Sequence, residues 1–306
     1  VRAAARPRPS AGVAPDRRRA LRRDLALRRT GRWLAWTVPL LALGFLWVPI
    51  GVLVAFSFND AASVSRWGGF SLRWYDQLLT SLGGGPSRFQ TDLLLRAVRN
   101  SLLVASISTL IATTLGTMFA LAVARGRFAG RRLFDALFYL PVVIPDITMG
   151  VSLAVFFRIA FEAIQQWTGV RVVAGFGTII IAHVAFNVAY VAIVVRARLA
   201  TMDPALEEAA RDLGADDWQT FWRVTFPILA PGVLAGALLA FTLSLDDFVI
   251  TFFTAGVGTT TLPLFVYGLL KQRVPPEINA VSTLMILASI VLVGVSLALQ
   301  RRGTRG

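Results

Sequence analysis

Residues Met202 to Pro227 read MDPALEEAARDLGADDWQTFWRVTFP, and this stretch decides how the rest of the chain is arranged. It holds Glu207, Glu208, Arg211, Asp212, Asp216, Asp217 and Arg223, whereas the sequence on both sides stays apolar for long enough to cross a bilayer. A charged island of this size sits in water. Asp203 is placed to cap a short helix with Pro204 at its first position, where the missing N–H costs nothing, and Gly214 is placed to end it. Leu206, Ala209, Ala210 and Leu213 share one face of that helix. Asp216 followed by Gln219 has the form of a capping box that restarts a helix. Trp218, Phe221, Trp222 and Thr225 then make a second, bulkier face, and Pro227 closes it. Apolar stripes on a charged loop predict something that covers them.

Outward from this loop the chain of 306 residues is 56% hydrophobic, with its apolar residues in blocks rather than periodic stripes. That pattern predicts an all-α polytopic membrane protein. Spans fall near 33–58, 97–124, 133–157, 175–199, 229–255 and 278–299, each close to the ~20 residues a helix needs to cross ~30 Å of hydrocarbon. Six transmembrane helices therefore occupy residues 33–300, with the charged loop 200–227 between the fourth and fifth. Thr261 to Leu270 is too short to cross, contains Pro263, and reads as an interfacial or re-entrant turn. Residues 1–32 hold Arg, Ala and Pro with few large apolar side chains and read as a disordered basic tail or one resting on anionic lipid. The run Trp33 to Phe58 is uncharged and lacks a small-residue cleavage site, so it reads as a retained span and not a signal peptide.

A net charge of +14 suggests nucleic acid at first sight, but 11 of the 31 basic residues precede Trp33 and most others flank the spans. Membrane topology accounts for the charge, and no nucleic-acid partner is expected. In a six-span chain with both termini in the cytoplasm, 22 of the 31 fall on the cytoplasmic side and 9 on the other. Arg125, Arg127, Arg131 and Arg132 in one short loop are the strongest local vote, and the same orientation puts loop 200–227 in the cytoplasm. With no cysteine, disulfides, thiolate catalysis and cysteine metal sites are excluded.

Glu208-Ala209-Ala210, Gly214 and Val224-Thr225-Phe226-Pro227 at their spacings closely resemble the EAA loop of the permease subunits of ATP-driven importers, E-A-A-x3-G-x9-I-x-L-P, with Val for Ile and Phe for Leu. The resemblance implies a type I importer permease fold and gives Glu207, Glu208, Ala209, Ala210, Gly214 and Pro227 a place in the loop that couples to an ATPase. The competing reading is an amphipathic helix lying on the membrane. Such a helix carries Lys and Arg on its polar face, whereas this one carries acids. Ser57-Phe58-Asn59, Trp67, Phe70-Ser71-Leu72-Arg73-Trp74-Tyr75 and Ser244-Leu245-Asp246-Asp247-Phe248 further resemble the second permease of spermidine/putrescine importers, over about residues 33–300.

The resemblance implies a bacterial inner-membrane machine of two permeases, two copies of an ATP-binding subunit and an extracytoplasmic substrate-binding protein. Relatives with similar loops carry ferric iron, thiamine, sulfate or phosphonates. The chain itself has no P-loop, its one Lys being Lys271, so it is expected to be a transport subunit and not an enzyme, with no cofactor of its own.

Ionisable groups inside spans are where a substrate path is sought. Asp146 falls about 13 residues, or ~20 Å, into the third span, and Asp246 and Asp247 fall about 10 residues from one end of the fifth. Each carboxylate costs ~2.5–3.5 kcal/mol at a span centre on insertion scales, and no Lys or Arg lies in either block to offset it. A cation arriving from outside would. Pro141 and Pro145 free backbone carbonyls near Asp146 that accept from ammonium groups. The alternatives are that Asp146 bonds to Thr148 or a neighbouring helix and that one of Asp246 and Asp247 caps a break in the span. His183 and Asn187, four apart, read as polar glue between helices, and Phe138, Tyr139, Phe156, Phe157, Phe248, Phe252 and Phe253 as packing that is able to add cation–π contacts of ~0.5–2 kcal/mol. An intramembrane aspartyl hydrolase would need Asp146 beside Asp246 or Asp247. A passive channel would conduct without an ATPase.

Overall fold

The computed structural model describes residues 15–61, 66–85, 89–126, 129–270 and 276–303, so Lys271 and the first fourteen residues lie outside the described residues. The chain divides into two compact units at Phe56. The first is the helix α1 (Pro15–Ser57), which is apolar from Ala35 to Ser57, 23 residues and enough to cross a bilayer. Residues 15–32, read from the sequence as a disordered basic tail or one resting on anionic lipid, are helical here. Ala, Leu and Arg are strong helix formers, and Pro15 takes the first helical position, so the helix starts well before the apolar run.

The second unit contains α2 (Arg73–Leu82), α3 (Phe89–Arg125), α4 (Arg131–Phe138), α5 (Leu140–Val143), α6 (Asp146–Thr168), α7 (Phe176–Leu199), α8 (Ala205–Asp212), α9 (Asp217–Thr220), α10 (Phe226–Asp246), α11 (Val249–Thr254), α12 (Leu262–Leu270) and α13 (Glu277–Gly303). A π-helical turn, Phe221–Thr225, joins α9 to α10. Among the described residues no strand forms, and one isolated bridge pairs Asn59 with Phe70. Among the described residues five helices are long and apolar enough to cross a membrane, and a shorter apolar stretch, Glu277–Val291, lies in α13.

The core of this unit is the seam between α3, α7 and α10. Val191 on α7 sits fully buried between two glycines of the neighbouring helices. A Cβ at Gly116 would come within 2.8 Å of Val191 Cβ and 2.9 Å of the Val188 carbonyl, and one at Gly236 within 3.3 Å of Val191 Cγ1. Between helices in lipid, dispersion across such close contacts replaces the hydrophobic drive available in water. Ala120, Ala192, Val195 and Ala240 fill the same cluster.

The third span is displaced from its expected place. Residues 131–145 form two short helices, α4 and α5, and the long helix begins only at Asp146. Pro141 is tolerated in the first turn of α5, whereas Pro145 disfavours helix in Ile144, whose ψ is 130°. The apolar block therefore contains a bend. The fifth span also breaks, at Asp247, whose ψ of 123° ends α10 before α11 begins.

Between α1 and α2 the chain turns on Asn59. Its Oδ1 accepts from Gly68 N–H at 2.7 Å and Ala61 N–H at 3.2 Å, its Nδ2 donates to the Arg66 carbonyl at 2.7 Å, and its own carbonyl accepts from buried Trp74 Nε1–H at 2.6 Å. Trp74 and Leu78 of α2 share a buried cluster with Leu94 of α3, Leu262 and Leu269 of α12 and Ile278 of α13, and α12 lies as a short helix against α3.

Candidate functional site

Two features claim the site, the charged loop and the break in the fifth span. In the loop, Asp203 Oδ1 accepts from Ala205 N–H at 3.0 Å and fixes the start of α8. At its other end Gly214 adopts φ +89°, Gly214 N–H bonds Arg211 O at 2.9 Å and Ala215 N–H bonds Ala210 O at 3.0 Å. These two bonds make a Schellman cap, and the positive φ explains why glycine stands there. Asp216 Oδ1 accepts from Gln219 N–H at 2.7 Å and caps α9 as its spacing indicates. Pro227 does not close that helix, contrary to expectation. The π-helical turn carries the backbone directly into α10, where Pro227 falls in the first turn and its missing N–H is tolerated.

The two acids at the start of α8 part company. Glu208 is exposed, while Glu207 is buried, ion-paired with the Arg125 guanidinium at the end of α3 and bonded by the Thr225 hydroxyl. Ala209 is exposed and Ala210 half-buried. Leu206, Leu213, Trp218 and Trp222 are 47%, 90%, 70% and 45% exposed, so the apolar stripe stands open along the loop. Arg211 Nε donates to Asp217 Oδ1 at 3.2 Å and holds the two arms together.

At the break, Asp247 accepts from Thr251 N–H and Thr251 Oγ1–H, both at 2.8 Å, and from Ile250 N–H at 3.3 Å. His183 Nε2 lies 3.2 Å from the same carboxylate. With the Nε2 proton directed to the acceptor-only carboxylate, Nδ1 accepts from the Ser244 hydroxyl at 2.6 Å, which is 3.0 Å from Ser108 Oγ. This network ties α3, α7, α10 and α11, so His183 is the polar glue its position on α7 suggested. Asn187, one turn further on, is fully buried, and neither amide atom has a hydrogen-bond partner among the described residues.

Asp246 differs from its neighbour. It is exposed and makes no hydrogen bond or ion pair with another side chain among the described residues. Phe248 lies 4.6 Å from the Tyr267 ring and 5.7 Å from Phe252, an aromatic cluster directly after the acid. Tyr267 was missed by the sequence reading, because nothing in a short α12 segment signals that it folds back onto Phe248. Asp146 is the first residue of α6 and not a mid-helix acid; it is exposed and within electrostatic reach of the Tyr190 hydroxyl on α7. No bond joins it to Thr148, Asp246 or Asp247 among the described residues, and no three His, Asp or Glu side chains among them converge as a metal site.

Residues 112–305, which include the seam, the loop and the break, match the family described as binding-protein-dependent transport system inner membrane component. The chain belongs to that family. It is 42% identical to the putrescine transport system permease protein PotI of Escherichia coli K12 over 85% of this chain and 88% of the relative. The spermidine/putrescine transport system permease protein PotC of Haemophilus influenzae is 35% identical over 84% and 93%. Among solved structures, a bacterial ABC transporter that imports alginate superposes with a TM-score of 0.67 at 19% identity, covering 94% of this chain and 99% of that one. The methionine ABC transporter MetNI gives 0.57 at 19% identity over 71% and 99%. The fold of this binding-protein-dependent permease is thus that of ABC importer transmembrane subunits.

Proposed function

We propose that this permease forms half of the translocation path of an ATP-driven polyamine importer. A second permease completes the path, two copies of an ATP-binding subunit drive it, and an extracytoplasmic binding protein delivers the substrate. Its relatives named for putrescine and spermidine support this substrate class. The observation that carries it to residues is Asp246, an exposed carboxylate at the break in the fifth span followed by the Phe248, Phe252 and Tyr267 cluster. A dicationic amine is matched by a carboxylate and aromatic faces together. Asp246 is the substrate contact, Asp247 with His183 holds the break in shape, and Asp146 at the head of α6 is a second candidate along the path. Both termini and loop 200–227 face the cytoplasm in this reading, which the excess of Lys and Arg on that side supports; there the open Leu206, Leu213, Trp218 and Trp222 stripe docks on the ATP-binding subunit, while the apolar spans meet lipid.

The test is ATP hydrolysis by the full complex in nanodiscs with its binding protein, across putrescine, spermidine, ferric iron and molybdate. Stimulation by a polyamine alone, reduced in Asp246→Asn, is the expected result. Stimulation by iron or molybdate would keep the importer and remove the acid site.

A further inference from the structure

We infer that the ion pair between Arg125 and Glu207 is a latch through which loop 200–227 moves α3 as a rod, making both of them positioning residues for transport. The inference rests on the coupling role proposed for the loop. Glu207 is 6% exposed, and its carboxylate gathers the Arg125 guanidinium from the last residue of α3 and the Thr225 hydroxyl from the turn that leads into α10. One side chain of α8 therefore grips two long helices. Its chain neighbour Glu208 points away and grips neither.

The rod has fixed attachments along its length. Three turns in from its other end, Asn100 Nδ2 donates to the Thr260 carbonyl at 2.9 Å, and Ser101 Oγ accepts from Leu262 N–H at 2.8 Å. Both hold the segment that follows the broken fifth span. In between, Ser108 joins the Ser244, His183 and Asp247 network at the break itself. From Arg125 to Asn100 is roughly 38 Å at 1.5 Å per residue, so one helix connects the loop, the break and the far side of the bundle. Besides Arg125, the loop meets this helix through apolar packing, where Leu121 and Ala124 lie against the cluster of Leu199, Met202 and Leu229, so the ion pair is the directional polar link of the two. Contact of this kind, polar links spaced along a stiff helix, is what carries coupling between distant sites.

A merely structural pair would change how much complex assembles or how fast it works, but not the number of ATP molecules hydrolysed per polyamine imported. That ratio is the readout, measured in proteoliposomes holding the full complex with putrescine and its binding protein. Glu207→Gln, which still accepts from Thr225, and Arg125→Gln are each expected to raise the ratio about tenfold, and the double variant by the same factor because the pair acts as one unit. Arg125→Lys keeps the charge and holds the ratio near that of the unmodified chain. The inference is overturned by an unchanged ratio in the two Gln variants, whether the separate rates persist or fall together, and equally by factors that multiply in the double variant. It is overturned too if both Gln variants fail to assemble, since the pair would then be a folding element. Failure of the coupling-loop reading looks different: with Arg125 and Glu207 intact, the complex would keep normal substrate-stimulated ATP hydrolysis and uptake after Leu206 and Leu213 are replaced by Asp.

Discussion

His183 Nε2 and Asp247 Oδ2 stand 3.2 Å apart across the break that separates α10 from α11, joining α7 to the one point where the fifth span is not helical. Four donors converge on that carboxylate, which is 9% exposed. Removing the imidazole leaves a buried charge without its ring partner and Ser244 without its acceptor. His183→Ala is expected to lower stability by about 1.5–3 kcal/mol, the usual worth of a hydrogen bond to a charged group. Thermal unfolding of the purified permease in detergent checks this, and a midpoint equal to that of the unmodified protein would show that the network contributes nothing.

The neighbouring acid is expected to behave in the opposite way. Asp246 has no side-chain partner to lose among the described residues, so Asp246→Asn leaves the unfolding midpoint in place. If its carboxylate meets an ammonium group, loss of one charge-assisted contact worth about 1.5–3 kcal/mol lowers putrescine uptake by about ten- to a hundredfold. Asp246→Glu is expected to recover part of it. Uptake in proteoliposomes that is equal for Asp246 and Asn would place the substrate elsewhere.

The contrast between these adjacent acids marks how far the sequence was legible. Both were visible as charges in an apolar block, because insertion into lipid makes any carboxylate conspicuous. Their division of labour was not, since it depends on His183, sixty-odd residues away in the chain, reaching one and not the other. The caps of loop 200–227 were readable, because Asp203, Gly214 and Asp216 act through neighbours within a few residues and local chemistry is what a sequence displays, whereas Pro227 was misread as an end. Glu207 was read only as part of the loop, and its grip on Arg125 is a tertiary contact without a local signal. The third span went wrong at Pro145, where apolar length was counted through a residue that forces the preceding backbone out of helix.

The close seam between α3 and α7 makes a steric prediction. A methyl group at Gly116 would sit 2.8 Å from Val191 Cβ and 2.9 Å from the Val188 carbonyl, and neither is the end of a flexible side chain. Gly116→Ala is expected to destabilise the permease by about 1–3 kcal/mol, the common range for overpacking. Val191→Ala in the same chain keeps Cβ but removes the 2.9 Å approach to Val191 Cγ1 and gives the helix room to shift, so it is expected to recover part of the loss. Additive losses in the double variant, read from unfolding midpoints, would mean that the two sites do not meet.

Gly214 concentrates the last prediction, because its φ of +89° and its bond from N–H to Arg211 O define where α8 stops and where Asp216 begins the second arm. Alanine at this position is strained by its Cβ at a cost on the order of 1 kcal/mol, felt in an exposed loop rather than in the core. Proline is worse in kind, since its ring fixes φ near −65° and it has no N–H to give. Gly214→Pro is therefore expected to misdirect the Trp218 and Trp222 face relative to Leu206 and Leu213 while the transmembrane seam stays folded. Glu208→Lys keeps that geometry and reverses a charge on the open side of α8. Both variants are expected to lose substrate-stimulated ATP hydrolysis and putrescine uptake in the assembled transporter, with an unchanged unfolding midpoint. Normal uptake in the two variants would show that this surface does not carry the drive from the ATP-binding subunit.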